Sequence, residues 1–533
     1  MGSQGENLRR PEVIVPLLFI LVGVFWWLVV KPLSYWKKRG VPSIPAAPLT
    51  GSMPLLFWRK YIGDVFASMY AKLEGKKYGG FHNLSKPSIL IRDLDIIKDI
   101  LETNSNNFHD NDFELPATTG EEYGQNLSFL TDGSWNALKP NLTEIYSAGN
   151  IKNAMPFILE VCETLEDCVS TKIEMAMELK EMGECYTTDV ISSIVFGTRG
   201  DSLLNPCGKF RRMGCKIAGM SASRSLAMKI PLLLKIIPCL CSSRKAVDYF
   251  RSVVKEAVHI REEEKVQRPD FLHVLLELQK QGKLKVSEEQ TSDPSKTDSE
   301  GNTTELDNEA LNTIATQALT FFINGYYATS NLISFSLFEL AYNGDIQSRA
   351  RAEVTKALEH HGSMSQDALS QLHYLDLILK ETIRKYPPSP FLARKASKKY
   401  YLPSAEYENE EEKSKEGIWL EEGSSVVVPV LGIHQDPKYY PNPETYNPDN
   451  FSEKTASQRN SYTFLGFGKG SRACNSMQLS LLLAKVAIAS LLAKYDFSPC
   501  EKTSLPITMD PSYLITMAQG GLWVKVSSLK KKY

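Results

Sequence analysis

The chain has 533 residues, 43% of them apolar and 23% charged, with a formal net charge of −1. That balance holds no basic excess to neutralise phosphates, so nucleic acid is excluded as an expected partner. Burial alone can build a large core at this length, and an average chain of this size would divide into about three or four domains.

From Val13 to Val30 the chain reads VIVPLLFILVGVFWWLVV, without a charge. As a helix this stretch spans about 27 Å, close to the hydrocarbon thickness of a bilayer. It exceeds the apolar core of a signal peptide and lacks a small-residue cleavage site. The charges of Glu6, Arg9, Arg10 and Glu12 before it cancel, whereas Lys31, Lys37, Lys38 and Arg39 follow it. This asymmetry keeps the body of the protein on the cytosolic side. Residues 1–31 are therefore expected to form a single-pass anchor. Residues 32–54 are expected to form a proline-rich hinge, because Pro42, Pro45, Pro48 and Pro54 oppose a helix and favour an extended, stiff chain.

Residues 55–533 read as one large domain, mainly α with smaller β-sheets. KPSILIRDLDIIKDILE predicts a strand and then a helix capped by Asp93. Helical periodicity dominates from Trp135 to Tyr386, and the apolar segment Leu306–Tyr342 is too long for an average globular helix. Strand signals return after Pro387, notably in SSVVVPVLGI. Two polar insertions, Val286–Glu305 and Glu406–Glu416, read as solvated surface loops. The nine cysteines are scattered, with no repeated CxxC pair and no zinc spacing, as expected of a reducing compartment.

One cysteine stands apart. Cys474 follows Phe467-Gly468-Lys469-Gly470-Ser471-Arg472-Ala473 and precedes the run MQLSLLLAKVAIASLLA. Glycines so close together allow a tight turn and the approach of backbone to a flat ligand. The run after it predicts a helix, placing Cys474 at a helix N-terminus, where the macrodipole and free amides favour a thiolate. By itself such a cysteine is equally a structural thiol, a nucleophile or an iron ligand.

The spacing Phe467-x-x-Gly470-x-Arg472-x-Cys474 resembles the haem loop of the cytochrome P-450 family. Other stretches match in family order. Glu381-Thr382-Ile383-Arg384 is similar to the family's Glu-x-x-Arg helix, where residues three apart share a face and pair. HQDPKYYPNPETYNPDNF resembles the meander before the haem loop, and DGSWNALK resembles the helix carrying a tryptophan and, four residues on, a cation. CYTTDVISSIVFG and RPDFLHVLLELQ add matches that point to the arthropod microsomal branch. IPLLLKIIPCL, Ile230–Leu240, resembles the family's membrane-dipping segment beside the substrate entrance.

The resemblance implies a cytochrome P-450 fold around haem b, with Cys474 as the axial iron ligand. Trp135, Lys139, Arg394, Phe467, Gly470 and Arg472 would bind the cofactor, the cations holding its propionates. Asn324, Gly325, Tyr327 and Thr329 would line the oxygen pocket. The implied activity is a monooxygenase that inserts one oxygen atom of dioxygen into a lipophilic small molecule, a xenobiotic or an endogenous lipid. Electrons would come from an NADPH–cytochrome P-450 reductase, with cytochrome b5 as a further donor, at the endoplasmic reticulum membrane.

The chain also departs from the family pattern. Tyr327-Ala328 stands where an acid and a threonine are usual, and a tyrosine, with a reference acidity of about 10, is a poor proton relay. Asn450 replaces the meander arginine, Lys139 replaces an arginine and loses its fork, and Ser476 replaces a small glycine or alanine. Its hydroxyl is expected either to crowd the haem or to bond back into the helix. These departures keep two other readings open: a haem-thiolate isomerase or dehydratase of peroxides that needs no reductase, and a non-catalytic haem-binding relative.

Overall fold

The computed structural model describes residues 11–56, 59–112, 127, 130–218, 243–284, 308–407 and 416–529. The membrane-dipping segment expected at Ile230–Leu240 and the loop expected at Val286–Glu305 lie outside them. So do Cys239, Cys241 and most of the acidic insertion at Glu406–Glu416.

The strands, in chain order, are β1 (Tyr78–Asn83), β2 (Lys86–Ile91), β3 (Ala176–Glu178), β4 (Leu392–Lys395), β5 (Tyr400–Leu402), β6 (Ile418–Leu420), β7 (Ser425–Val428), β8 (Tyr495–Pro499) and β9 (Trp523–Ser528). Helices used below are α1 (Pro11–Phe25), α2 (Asp132–Ile145), α3 (Leu179–Val195), α4 (Lys209–Ala218), α5 (Asn308–Tyr342), α6 (His373–Lys385) and α7 (Met477–Lys494). By internal contacts the chain divides into two compact units, Met1–Asp112 with Phe391–Ile433, and Phe113–Pro390 with His434–Tyr533.

The first unit holds a four-stranded sheet in the order β1-β2-β7-β4. β2 pairs antiparallel with β1 and parallel with β7. Its Ile89, Leu90 and Ile91 and the Val426, Val427 and Val428 of β7 are all buried, the continuous apolar run expected of strands covered on both faces. The helix expected after β2 begins at Leu94, and Asp93 caps it by accepting from the amides of Asp95 and Ile96.

α1 continues through helical turns to Lys38. Ile14–Lys38 is long and apolar enough to cross a membrane, and Phe19, Val22 and Trp27 are exposed along it. Its far end is seated on the sheet: the indole of Trp36 is buried and donates to the Phe81 carbonyl at 3.0 Å. Gly80 has to be glycine there, since a Cβ would stand 2.3 Å from the Trp36 ring. The proline-rich stretch then runs beside β1. Gly80 N donates to Pro42 O at 2.8 Å, Ile44 N to Gly80 O at 2.8 Å and Ser52 N to His82 O at 2.8 Å.

The second unit is the helical one, with a small sheet in the order β3-β9-β8. Its axis is α5, 35 residues and about 52 Å long, buried on every side over its second half. A helix this deep cannot leave its polar groups unpaired. Ser334 donates to the carbonyls of Ser330 and Leu179 at 2.6 and 2.9 Å, Ser336 pairs with Thr382 at 2.9 Å, and Asn331 donates to Thr516 O at 2.7 Å. α3 approaches α5 closely at Gly183, where a Cβ would lie 2.9 Å from the Ser330 carbonyl. α7 is also apolar enough to span a membrane, but it is packed into this core.

Candidate functional site

The loop before α7 is built by its glycines. Gly468 and Gly470 take φ of 68° and 71°, left-handed values that side chains oppose. Gly466 lies against α6, where a Cβ would meet Ile383 Cγ2 at 2.1 Å. Gly468 N donates to Leu465 O and Cys474 N to Phe467 O, both at 2.9 Å. The loop therefore folds back on itself and presents Cys474, exposed, just before α7 starts at Met477. Phe467 is half-buried and packs against the core.

The Glu381–Arg384 pair supports this loop from below. Both side chains are fully buried, so this is not the surface ion pair that the spacing alone would give. Arg384 donates through Nε and Nη2 to the two Glu381 oxygens at 2.8 and 2.9 Å. Its remaining donors meet the carbonyls of His434 at 3.0 Å and Pro443 at 2.8 Å. Where the family arginine is missing, the Asn450 amide donates to both Glu381 oxygens at 3.2 and 3.3 Å, and Asn447 N adds a bond at 2.9 Å. A guanidinium returns from elsewhere in the chain: Arg459 donates to the Asn450 carbonyl and lies 4.4 Å over the Tyr440 ring. The Glu381 carboxylate thus keeps its donors without the usual meander arginine.

His434 was not singled out by the sequence and is the link between these parts. It is buried and bridges the Arg384 carbonyl at Nδ1, 3.0 Å, to the Leu465 amide at Nε2, 3.0 Å. Burial, then the charge of Arg384, pushes its pKa down to about 3. The network therefore assigns a neutral ring that donates from Nδ1 and accepts at Nε2. It also stacks on Phe464 with centroids 5.6 Å apart.

Three of the expected cofactor residues meet at one end of the loop. The Arg472 guanidinium lies 4.2 Å over the Trp135 ring, and Lys139 Nζ lies 4.7 Å from the same ring. Arg472 also donates to the carbonyls of Leu127 and Leu130 at 3.1 and 2.8 Å. Burial, then the neighbouring Arg472 charge, lowers the Lys139 pKa. Two cations held together on one indole are a site for anionic groups. Arg394 belongs to the first unit, on β4, where it is buried and donates to Asn111 Oδ1 at 2.8 Å.

The expected oxygen-pocket residues lie on an unbroken α-helix. Asn324 is exposed, Gly325 is half-buried, and Tyr327 and Thr329 are buried. No bulge resets the register here, so Thr329 stays about 100° round from position 328. Tyr327 packs edge-on against Tyr513, with ring centroids 5.7 Å apart. Burial, then Tyr513 and Glu184, raises its pKa far above the ordinary phenol value, so the group is a neutral donor throughout the physiological range. The neighbouring Tyr326 turns the other way. Its hydroxyl donates to the buried Glu184 of α3 at 3.0 Å and lies 3.3 Å from Cys215 Sγ of α4. Arg211 of α4 completes the cluster at 3.0 Å from Glu184.

The chemistry of the donor set fits a haem: one accessible sulfur on a glycine-shaped loop, and a pair of cations on an indole for the carboxylates. Among the described residues no group of three His, Cys, Asp or Glu side chains is placed to hold a metal ion. A cleft of about 440 Å³ beside the sulfur is lined by Lys380, Arg459, Phe464, Phe467, Lys469 and Cys474, among others.

A family model described as Cytochrome P450 matches residues 42–526, and the chain belongs to that family of haem-thiolate monooxygenases. It is 29% identical to cytochrome P450 6k1 of Blattella germanica over 520 residues, covering 96% of each chain. It is 30% identical to cytochrome P450 9e2 of the same insect, over 92% of this chain and 93% of that protein. With cytochrome P450 6a2 of Drosophila melanogaster the identity is 28%, over 97% of this chain and all of that protein. The arthropod character expected from the motifs is borne out.

Proposed function

We propose that this protein is a monooxygenase of lipophilic small molecules, with Cys474 as the axial ligand of haem b. It would be held in the endoplasmic reticulum membrane by residues 1–31, joined through 32–54 to a catalytic domain at 55–533. The observation that carries this is the accessible Cys474 sulfur on a loop tied to the buried Glu381–Arg384 pair through His434. Bound haem supplies dioxygen reduction and oxygen transfer to carbon, with the thiolate donating electron density to the iron.

The remaining work belongs to the chain. Lys139 and Arg472, which share the Trp135 ring, would meet the propionates, and Arg394 is a further candidate cation. Phe467 and Gly470 shape the loop against the ring. Asn324, Gly325, Tyr327 and Thr329 are the residues of α5 proposed to face dioxygen. Asn324 is the exposed polar side chain among them, and Tyr327, which keeps its proton, would act there as a hydrogen-bond donor and not as an acid. Lys380, Arg459 and Lys469 make the cleft beside Cys474 cationic, which suits the acidic face of an electron donor such as the NADPH-dependent reductase or cytochrome b5.

A reduced carbon monoxide difference spectrum of membranes carrying the protein tests the ligand. The red-shifted Soret band of a thiolate complex is expected, and Cys474→Ala should abolish it. A histidine-type or neutral-thiol band in the parent would overturn the assignment. Tyr327, fixed in its protonated form where an acid is usual, favours a second reading, isomerisation of a lipid peroxide. NADPH consumption through the reductase, with product oxygen derived from dioxygen, would exclude it.

A further inference from the structure

We infer that the Ser476 hydroxyl is a donor to the Cys474 sulfur, and that it sets how much electron density this ligand gives to the iron. The inference rests on the reading of Cys474 as the axial ligand. Ser476 occupies the N-cap of α7, where a serine usually turns its oxygen onto the first free amides of the helix. Here it does not: its side chain makes no capping bond. Instead, Ser476 Oγ stands 3.4 Å from Cys474 Sγ, a hydrogen-bond distance for sulfur, whose radius exceeds that of oxygen. The expectation that the hydroxyl bonds back into the helix is therefore corrected. The residue two positions after the cysteine is turned towards it.

The charge of the ligand fixes the direction of that bond. A thiolate has no hydrogen to give and only accepts. The Ser476 Oγ–H therefore donates to Cys474 Sγ.

A donor on a metal-bound sulfur withdraws charge from it, weakens its donation and stabilises the reduced metal. A glycine or alanine at 476 has no side-chain donor to do this. Ser476 is thus a positioning and tuning residue, acting on the iron only through the ligand.

The test uses the full-length, haem-loaded protein in membranes, with Ser476→Ala, Ser476→Gly and Ser476→Thr. The readouts are the ferric–ferrous midpoint potential and the infrared stretch of carbon monoxide on the reduced protein. The Ala and Gly variants should shift the potential downwards and the stretch to lower frequency. The Thr variant, which keeps the hydroxyl, should stay near the parent. Should the alanine variant lose its haem, the glycine variant carries the comparison. Ala and Gly variants that keep the thiolate Soret band with unchanged potential and stretch would overturn the inference while leaving Cys474 as ligand. A parent protein without that band would overturn both.

Discussion

Beneath the cysteine loop, Asn450 stands where the family supplies an arginine, yet the Glu381 carboxylate still accepts from Arg384, Asn447 and Asn450. In the middle of α5, Tyr327, expected where the family usually has an acid, is a buried phenol that keeps its proton at neutral pH. The two regions differ in what they need. A structural carboxylate requires any well-placed donors, and geometry can recruit them from several positions. A proton relay requires a particular acidity, which hydrogen-bond count does not provide.

The comparison is sharpened most by removing the carboxylate itself. Glu381→Ala should leave Arg384 buried and unpaired, costing on the order of 3–5 kcal/mol. Thermal unfolding and retained haem would both register the loss, and an unchanged melting temperature would show that the network is dispensable. The next effect comes from His434. Its folded pKa of about 3 lies below its unfolded value, so the unfolded chain binds the extra proton between about 6.5 and 3. Stability from this group is whole above about pH 6.5 and falls as pH drops towards 3, by a few kcal/mol in all. Denaturant midpoints measured down that range should fall less steeply in His434→Gln.

Tyr326→Phe removes one donor from the buried Glu184 and should cost about 1–3 kcal/mol, with the thiolate Soret band unchanged. Loss of that band instead would place Tyr326 on the cofactor side of α5. Arg459→Ala, which leaves the Asn450 carbonyl without its guanidinium, should cost about 1 kcal/mol in the same assay. Ala328→Thr should alter stability least of all. Its effect should be on coupling, raising product formed per NADPH consumed, and no gain would mean that the missing relay does not limit turnover.

What was legible in the sequence was local. The uncharged run before Val30, the Asp93 cap, the length of α5 and the glycine turn before Cys474 depend on neighbours within a few residues. Hydrophobic period, caps and left-handed turns are properties of short segments, and they emerged where expected. The Glu381–Arg384 pair was legible as a pair, but its complete burial was not, because burial depends on what the rest of the chain lays over it.

Only the tertiary structure decided how the departures are met. His434 stands 50 residues from Arg384 and 31 from Leu465, and no spacing announces that one ring will bridge them. Nothing in the order of residues shows that a serine at a helix N-cap will turn to sulfur instead of to the helix. A hydroxyl's role is set by the nearest partner in space, and for Ser476 that partner is Cys474 Sγ, 3.4 Å away.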